Sequence, residues 1–134
     1  MTLAVGDPLP PFVITITPDS MKVWAPILHD PNRIHLDPDF VKAMGLGDRV
    51  INQGPANLAY VMNALMMAFP GGTIESVEVR FLDNAFGGDV VEAGGKIIEQ
   101  STEAGRRRST CEVWLNAPGS RPVLGGRAVM SVPI

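Results

Sequence analysis

The chain has 134 residues, of which 46% are hydrophobic and 19% charged, and its formal net charge is -3. A length of 134 fits a single domain over 1–134, able to bury a core without staples. The acidic balance excludes nucleic acid as the main partner, because no basic excess exists to neutralise phosphates. The lone cysteine, Cys111, cannot form an internal disulfide, and its strand-like flanks suit a buried, inert thiol. The start of the chain has no basic region followed by a long apolar stretch, and the apolar segment 56–69 is too short to span a membrane. The expectation is a cytoplasmic protein with no membrane contact.

The lead-in through Pro10-Pro11 is expected to be extended. Residues 12–17, rich in β-branched side chains, read as a strand. Thr17-Pro18 then starts a helix with a capping hydroxyl followed by proline, and Met21, Trp24 and Leu28 recur at helical spacing. Pro26 predicts that this helix is short or kinked. Residues 30–37 read as a loop pinned by Pro31, and Asp37-Pro38 starts a second short helix over 38–44, ended by Gly45 and Gly47.

Pro55 opens a third helix over 55–69. Leu58, Val61, Met62, Leu65, Met66 and Phe69 form its broad apolar stripe, and alanines cover much of the rest, which predicts a buried helix. Residues 74–82 alternate, with Ile74, Val77, Val79 and Phe81 against Glu75, Glu78 and Arg80. Further strands are expected over 90–100, 107–115 and 123–132, separated by turn residues. A buried helix followed by long strands gives an α+β pattern, one helix wrapped by an antiparallel sheet.

The densest set of reactive side chains is Asp30-Pro31-Asn32-Arg33-Ile34-His35-Leu36-Asp37. A carboxylate and an imidazole held together can hold one water and share proton transfer. The same residues also make an ordinary turn followed by an Asp N-cap, and spacing alone leaves both readings open. Asn52-Gln53-Gly54-Pro55, directly before the third helix, offers unpaired backbone N–H groups at a positive dipole end. Such a helix start is either a plain turn or an oxyanion site. Pro55 has no N–H, so Gly54 and residues beyond Pro55 must donate. No Cys or His cluster has metal-ligand spacing and no Gly-rich phosphate loop is present, so no metal or redox cofactor is expected.

The pattern Asp30-x-Asn32-x-Ile34-His35-Leu36-Asp37-Pro38-x-Phe40 resembles the hydratase signature of the MaoC-like family, the R-specific enoyl-CoA hydratases and related dehydratases. Gly45 to Ile51, Gln53-Gly54, Arg80-Phe81 with Gly88-Asp89, and Gly126 to Val129 resemble later family segments in the same order. The resemblance implies a hot-dog fold, a homodimer or a heteromer with another hot-dog chain, and an acyl thioester of coenzyme A or acyl carrier protein as substrate. It further implies that Asp30 and His35 activate water and that the Gly54 N–H binds the thioester oxygen. Asn32, Gln53 and Arg80 are expected to touch or orient substrate. Three departures stand at the site: Leu28-His29 where the family often has Ser-Gly, Gln53 in place of His, and Pro55 after the glycine. Arg106-Arg107-Arg108 is either a solvated hairpin turn or a contact for the phosphates of coenzyme A, and Met62, Met66 and Met67 either fill core or line an acyl tunnel. The implied reaction is hydration of an enoyl thioester to an R-3-hydroxyacyl product. A hot-dog thioesterase and a non-catalytic partner subunit are the alternatives.

Overall fold

The computed structural model describes residues 2–134. The lead-in 2–11 is extended apart from a turn at Val5-Gly6, and Met1 lies outside the described residues. Strand β1 (Phe12–Thr15) is followed by helix α1 (Pro18–Ile27), a 3-10 turn (Arg33–His35), helix α2 (Pro38–Ala43) and helix α3 (Gly54–Ala68). Strands β2 (Thr73–Phe81), β3 (Val90–Glu103), β4 (Arg106–Ala117) and β5 (Arg121–Pro133) complete the α+β architecture expected from the sequence.

The helix starts follow local chemistry. Thr17 Oγ1 accepts the Ser20 N–H at 3.2 Å ahead of Pro18. Asp37 Oδ1 accepts the Asp39 and Phe40 N–H groups at 3.0 and 3.3 Å ahead of Pro38. Pro26 does not cut α1 short. It sits one residue from the helix end, where its missing N–H costs a single bond of the last turn.

The five strands form one antiparallel sheet in the order β1-β3-β4-β5-β2. Bulges between Ile97 and Glu99 on β3 and between Ile74 and Ser76 on β2 interrupt the register, the kind of insertion that bends a strand and lets a sheet curl. The inner face presents Val91, Ala93, Ile97, Cys111, Val113, Leu115, Leu124, Ala128 and Met130, each at most 1% exposed. Helix α3 lies against them through Ala56, Tyr60, Val61, Ala64 and Leu65. Small Ala56 and Ala64 allow close approach, and each large apolar side chain buried here contributes roughly 1.5–3 kcal/mol. At the β2–β5 pairing the backbones come so close that a Cβ on Gly126 would strike the Glu78 carbonyl oxygen and lie 2.7 Å from Val79 Cα.

One expectation is corrected. Helix α3 is not buried all round: Met62, Met66 and Met67 are 38%, 44% and 57% exposed. A single sheet covers one side of a helix, and this sheet takes the Ala56–Tyr60–Ala64 side. The methionines therefore face outward in the single chain and are not core filler.

Leu65 is fully enclosed between α3 and the sheet. Leu65→Ala should destabilise the protein by about 2–5 kcal/mol, read from urea unfolding curves. Burial raises the Cys111 thiol to about 11. It should stay inert to a thiol-reactive disulfide reagent at neutral pH and react only as the protein unfolds; rapid labelling of the native protein would contradict its place in the core.

Candidate active site

The chain leaves α1 through two backbone bonds, His29 N–H to Pro26 O at 3.2 Å and Asp30 N–H to Ala25 O at 2.9 Å. His29 has a φ of 51°, the left-handed region, which costs a non-glycine residue roughly 1–2 kcal/mol. Residues 30–37, expected as a loop, are wound in part into a 3-10 turn by local side-chain bonds. Asp30 Oδ1 accepts the Asn32 N–H at 3.1 Å, and Asn32 Oδ1 accepts the Ile34 N–H at 3.2 Å. These bonds commit one oxygen of Asp30 to the backbone and leave Oδ2 free to face His35.

His35 is 8% exposed and held at both ring nitrogens. Nδ1 lies 2.6 Å from the Ile51 carbonyl oxygen, and Nε2 lies 3.1 Å from Asp30 Oδ2. A carbonyl oxygen only accepts, so Nδ1 carries the hydrogen. Nε2 is then the nitrogen that gains and loses a proton, and it faces a carboxylate oxygen. Two lone pairs at that distance repel unless a proton lies between them. The pair is built to hold one. The adjoining backbone fixes the spacing: Ile51 N–H donates to Ile34 O at 2.9 Å, so residues 34–35 and 51 are joined at two points.

The strand-like segment carrying Ile51 is anchored from below by the turn that precedes β3. Asn52 N–H donates to Ala85 O at 2.8 Å and Gly87 N–H to Val50 O at 2.9 Å. Asp89, 6% exposed, accepts the Phe86 N–H at 3.0 Å and pairs with Arg49 at 2.9 Å. The Gly88-Asp89 motif singled out in the sequence thus supports the site from behind.

Gly54 is the first residue of α3, and its N–H has no acceptor within the chain among the described residues. Gly54 is half-buried, whereas Ala56 is fully buried, so Gly54 offers the accessible amide at this helix start. The exposed Phe81 ring lies over it: a Cβ on Gly54 would sit 3.4 Å from the ring. Phe81, expected as one of the apolar members of an alternating strand and as part of the family-like Arg80-Phe81 pair, is exposed and stands at the site.

The remaining expected residues are scattered. Asn32 orders the Asp30–His35 turn through its backbone and side chain. Gln53 does not present its side chain to an open surface. It is fully buried, its Nε2 donates to Met21 O of α1 at 2.9 Å, and its Oε1 is enclosed without a partner. The reason is its place at the N-cap of α3, directly beneath α1. Arg80 is exposed on β2, with the parity opposite to Val77, Val79 and Phe81, and lines the outer sheet face beside Gly125 and Arg127. It is not brought to Asp30 within this chain. Arg106 bonds Ser131 Oγ at 2.9 Å and Arg108 pairs with Glu75 at 2.7 Å, so two of the three arginines are engaged internally.

Asn52 Nδ2 donates to Asn57 Oδ1 at 2.8 Å and to Tyr60 Oη at 3.2 Å, a buried network the sequence did not reveal. Burial raises the Tyr60 phenol above its ordinary range. At the far end of the reactive loop, the Arg33 guanidinium beside Asp37 holds its carboxyl below the usual carboxylate range, with the Phe40 N–H helping. A surface groove of about 440 Å3 opens beside Asp30, walled by Ala25, Pro26, His29, Pro31 and Leu36. A depression of about 260 Å3 at the other end of α3, near Phe69 and Arg107, includes neither Asp30 nor Gly54. No helix among the described residues is long and apolar enough to cross a membrane.

A helix lying against a curled antiparallel sheet, with a carboxylate–imidazole pair joined to the segment that leads into that helix, defines a hot-dog domain of the dehydratase type. A family model described as "MaoC like domain" matches residues 5–113, and the chain belongs to that family. Among solved structures, an (R)-hydratase from A. caviae involved in PHA biosynthesis superposes with a TM-score of 0.88 at 21% identity, covering 98% of both chains. A MaoC-like dehydratase from Rhodospirillum rubrum has a TM-score of 0.83 at 19% identity, covering 98% of this chain and 93% of its own. A chain of the ChsH1-ChsH2 complex from Mycobacterium tuberculosis has a TM-score of 0.81 at 18% identity, covering 98% of this chain and 99% of its own. These similarities establish the hot-dog fold. A comparison with curated protein sequences found no match.

The anchoring of Nδ1 makes a direct prediction. Nitrogen-15 NMR of the neutral His35 ring should show the hydrogen on Nδ1 rather than Nε2. The opposite tautomer would mean that Nε2 is not the proton-accepting atom.

Proposed function

We propose that the protein hydrates an enoyl thioester, or dehydrates the 3-hydroxyacyl thioester, with Asp30, His35 and Gly54 as the catalytic groups. The observation that carries this reading is the Nε2–Oδ2 approach of 3.1 Å with Nδ1 spent on Ile51 O. In that arrangement a water bound beside Asp30 Oδ2 and His35 Nε2, within reach of both, gives one proton to the pair. Its oxygen bonds to C3 of the substrate as the C2–C3 π bond breaks, and the pair returns one proton to C2. Water is consumed and no other reactant is needed. Negative charge that develops on the thioester oxygen is met by the Gly54 N–H at the positive end of α3. The substrate carrier is coenzyme A or acyl carrier protein, and the product has the R configuration. Both assignments are supported by membership of the MaoC-like family and by fold similarity to the (R)-hydratase.

A second hot-dog chain, identical or different, completes the assembly. The exposed Met62, Met66 and Met67 of α3 favour a covering partner, because soluble monomers rarely leave such an apolar helix face open. One of the structural relatives is itself part of a two-protein complex, ChsH1-ChsH2.

Loss of enoyl absorbance on mixing with crotonyl-CoA, and with longer or steroid-sized enoyl-CoA esters, tests the reaction. Asp30→Asn and His35→Ala should each lower kcat by about 10²–10⁴-fold while the protein stays folded. Release of free thiol without loss of the alkene would identify a thioesterase instead. Full hydration by both variants would overturn the assignment.

A further inference from the structure

The two halves of the candidate pair are held to the body by different bonds. His35 is tied to Ile51 O through Nδ1 at 2.6 Å. Asp30 instead belongs to the end of α1, through its N–H bond to Ala25 O at 2.9 Å. Helix α1 is attached mainly through Met21 and the partly buried Trp24, which packs against the core. Val23 and Ile27 are exposed, and Met21 is its one fully buried residue. Among the described residues, a single hydrogen bond joins α1 to the chain beyond 17–30: Gln53 Nε2 to Met21 O at 2.9 Å. Gln53 in turn is the residue directly before Gly54, at the N-cap position of α3 but without a side-chain capping bond.

We infer that Gln53 is a positioning residue, whose amide sets the height of α1 over the start of α3 and thereby the distance of Asp30 from His35 and Gly54. Its side chain touches no reacting atom. The enclosed, unpartnered Oε1 points the same way. An apolar side chain of this size would fill the space without stranding an acceptor, so the amide is kept for its donor. Glutamine reaches Met21 O with a single N–H whose direction is fixed, because the carbonyl can only accept.

In its effect on rate the inference rests on the hydratase reading, but one readout is independent of it. Gln53→Met keeps the volume and removes both donor and stranded acceptor. Thermal stability should be unchanged or higher, while kcat falls up to about 10²-fold with KM little altered, as expected when reacting groups move without losing substrate contacts. The His35 nitrogen-15 shifts in Gln53→Met should move towards those of Asp30→Asn, because Nε2 loses its carboxylate neighbour in both. Gln53→Glu provides a second arm. A protonated acid can donate to Met21 O and a carboxylate cannot, so its activity relative to the parent protein should rise on acidification. Parent-like His35 shifts and kcat in Gln53→Met, or a Gln53→Glu pH profile parallel to that of the parent, would overturn the inference. Should the parent protein turn over no enoyl thioester, the hydratase reading fails, and the NMR comparison still decides the role of Gln53.

Discussion

The hydrogen bond from His35 Nδ1 to the Ile51 carbonyl ties the reactive loop to the short segment 51–54, on which the remainder of the site also hangs. Four consecutive residues make four different attachments there. Ile51 holds the imidazole, Asn52 is pinned to Ala85 and to the α3 side chains Asn57 and Tyr60, Gln53 holds α1, and Gly54 starts α3 with an open amide. An extended stretch of three to four residues reaches about 10–14 Å at most. The imidazole and the amide donor are therefore confined to one small region by chain geometry, and the Asp30–Asn32 turn adds the carboxylate.

Such a hub has a cost. Asn52 Oδ1 and Gln53 Oε1 are both enclosed without partners, and a stranded buried acceptor typically costs about 1–3 kcal/mol. His29 adds backbone strain beside Asp30 through its φ of 51°. The two unpartnered acceptors lie at the site and not on the sheet, whose buried face is mostly apolar; left-handed non-glycine residues recur only at its hairpins, Ala104 and Ser120. The sheet supplies the stability that lets residues 29–53 hold unfavourable arrangements.

The architecture was legible because its signals are local. Pro18, Pro38 and Pro55 stand in the first turn of all three helices, and strand alternation in 74–82 separates the partly buried Ile74, Val77 and Val79 from exposed Glu75, Glu78 and Arg80, though it misplaces the exposed Phe81. Asp30 and His35 were legible as candidates, but their contact depends on a 3-10 turn made by Asn32 and Asp30 side-chain bonds, which no periodicity encodes. The Gln53 contact was not legible, since its partner is a backbone carbonyl 32 positions earlier in the chain. Arg80 resembled a family motif, yet strand parity turns it to the outer face. The α3 stripe departs from expectation for a related reason: an apolar helix pattern says that surface will be covered, not by what. Val61 and Leu65 meet the chain's own sheet, and Met62 and Met66 do not.

That uncovered surface bears on the chemistry through Phe81. Its ring rests on Gly54, and it belongs to β2, the strand at the edge of the sheet. A β-sheet edge leaves backbone donors and acceptors open to pairing, and protected edges are the rule in soluble proteins. In the proposed assembly, a partner that pairs with β2 or covers the methionine face of α3 borders the ring that roofs the Gly54 amide. Excluding water there lowers the local dielectric, and a single N–H then stabilises a developing oxyanion far more than it does in water. Association would thus act on the electrostatics of the carbonyl site, while Asp30 and His35 are already assembled by bonds within one chain.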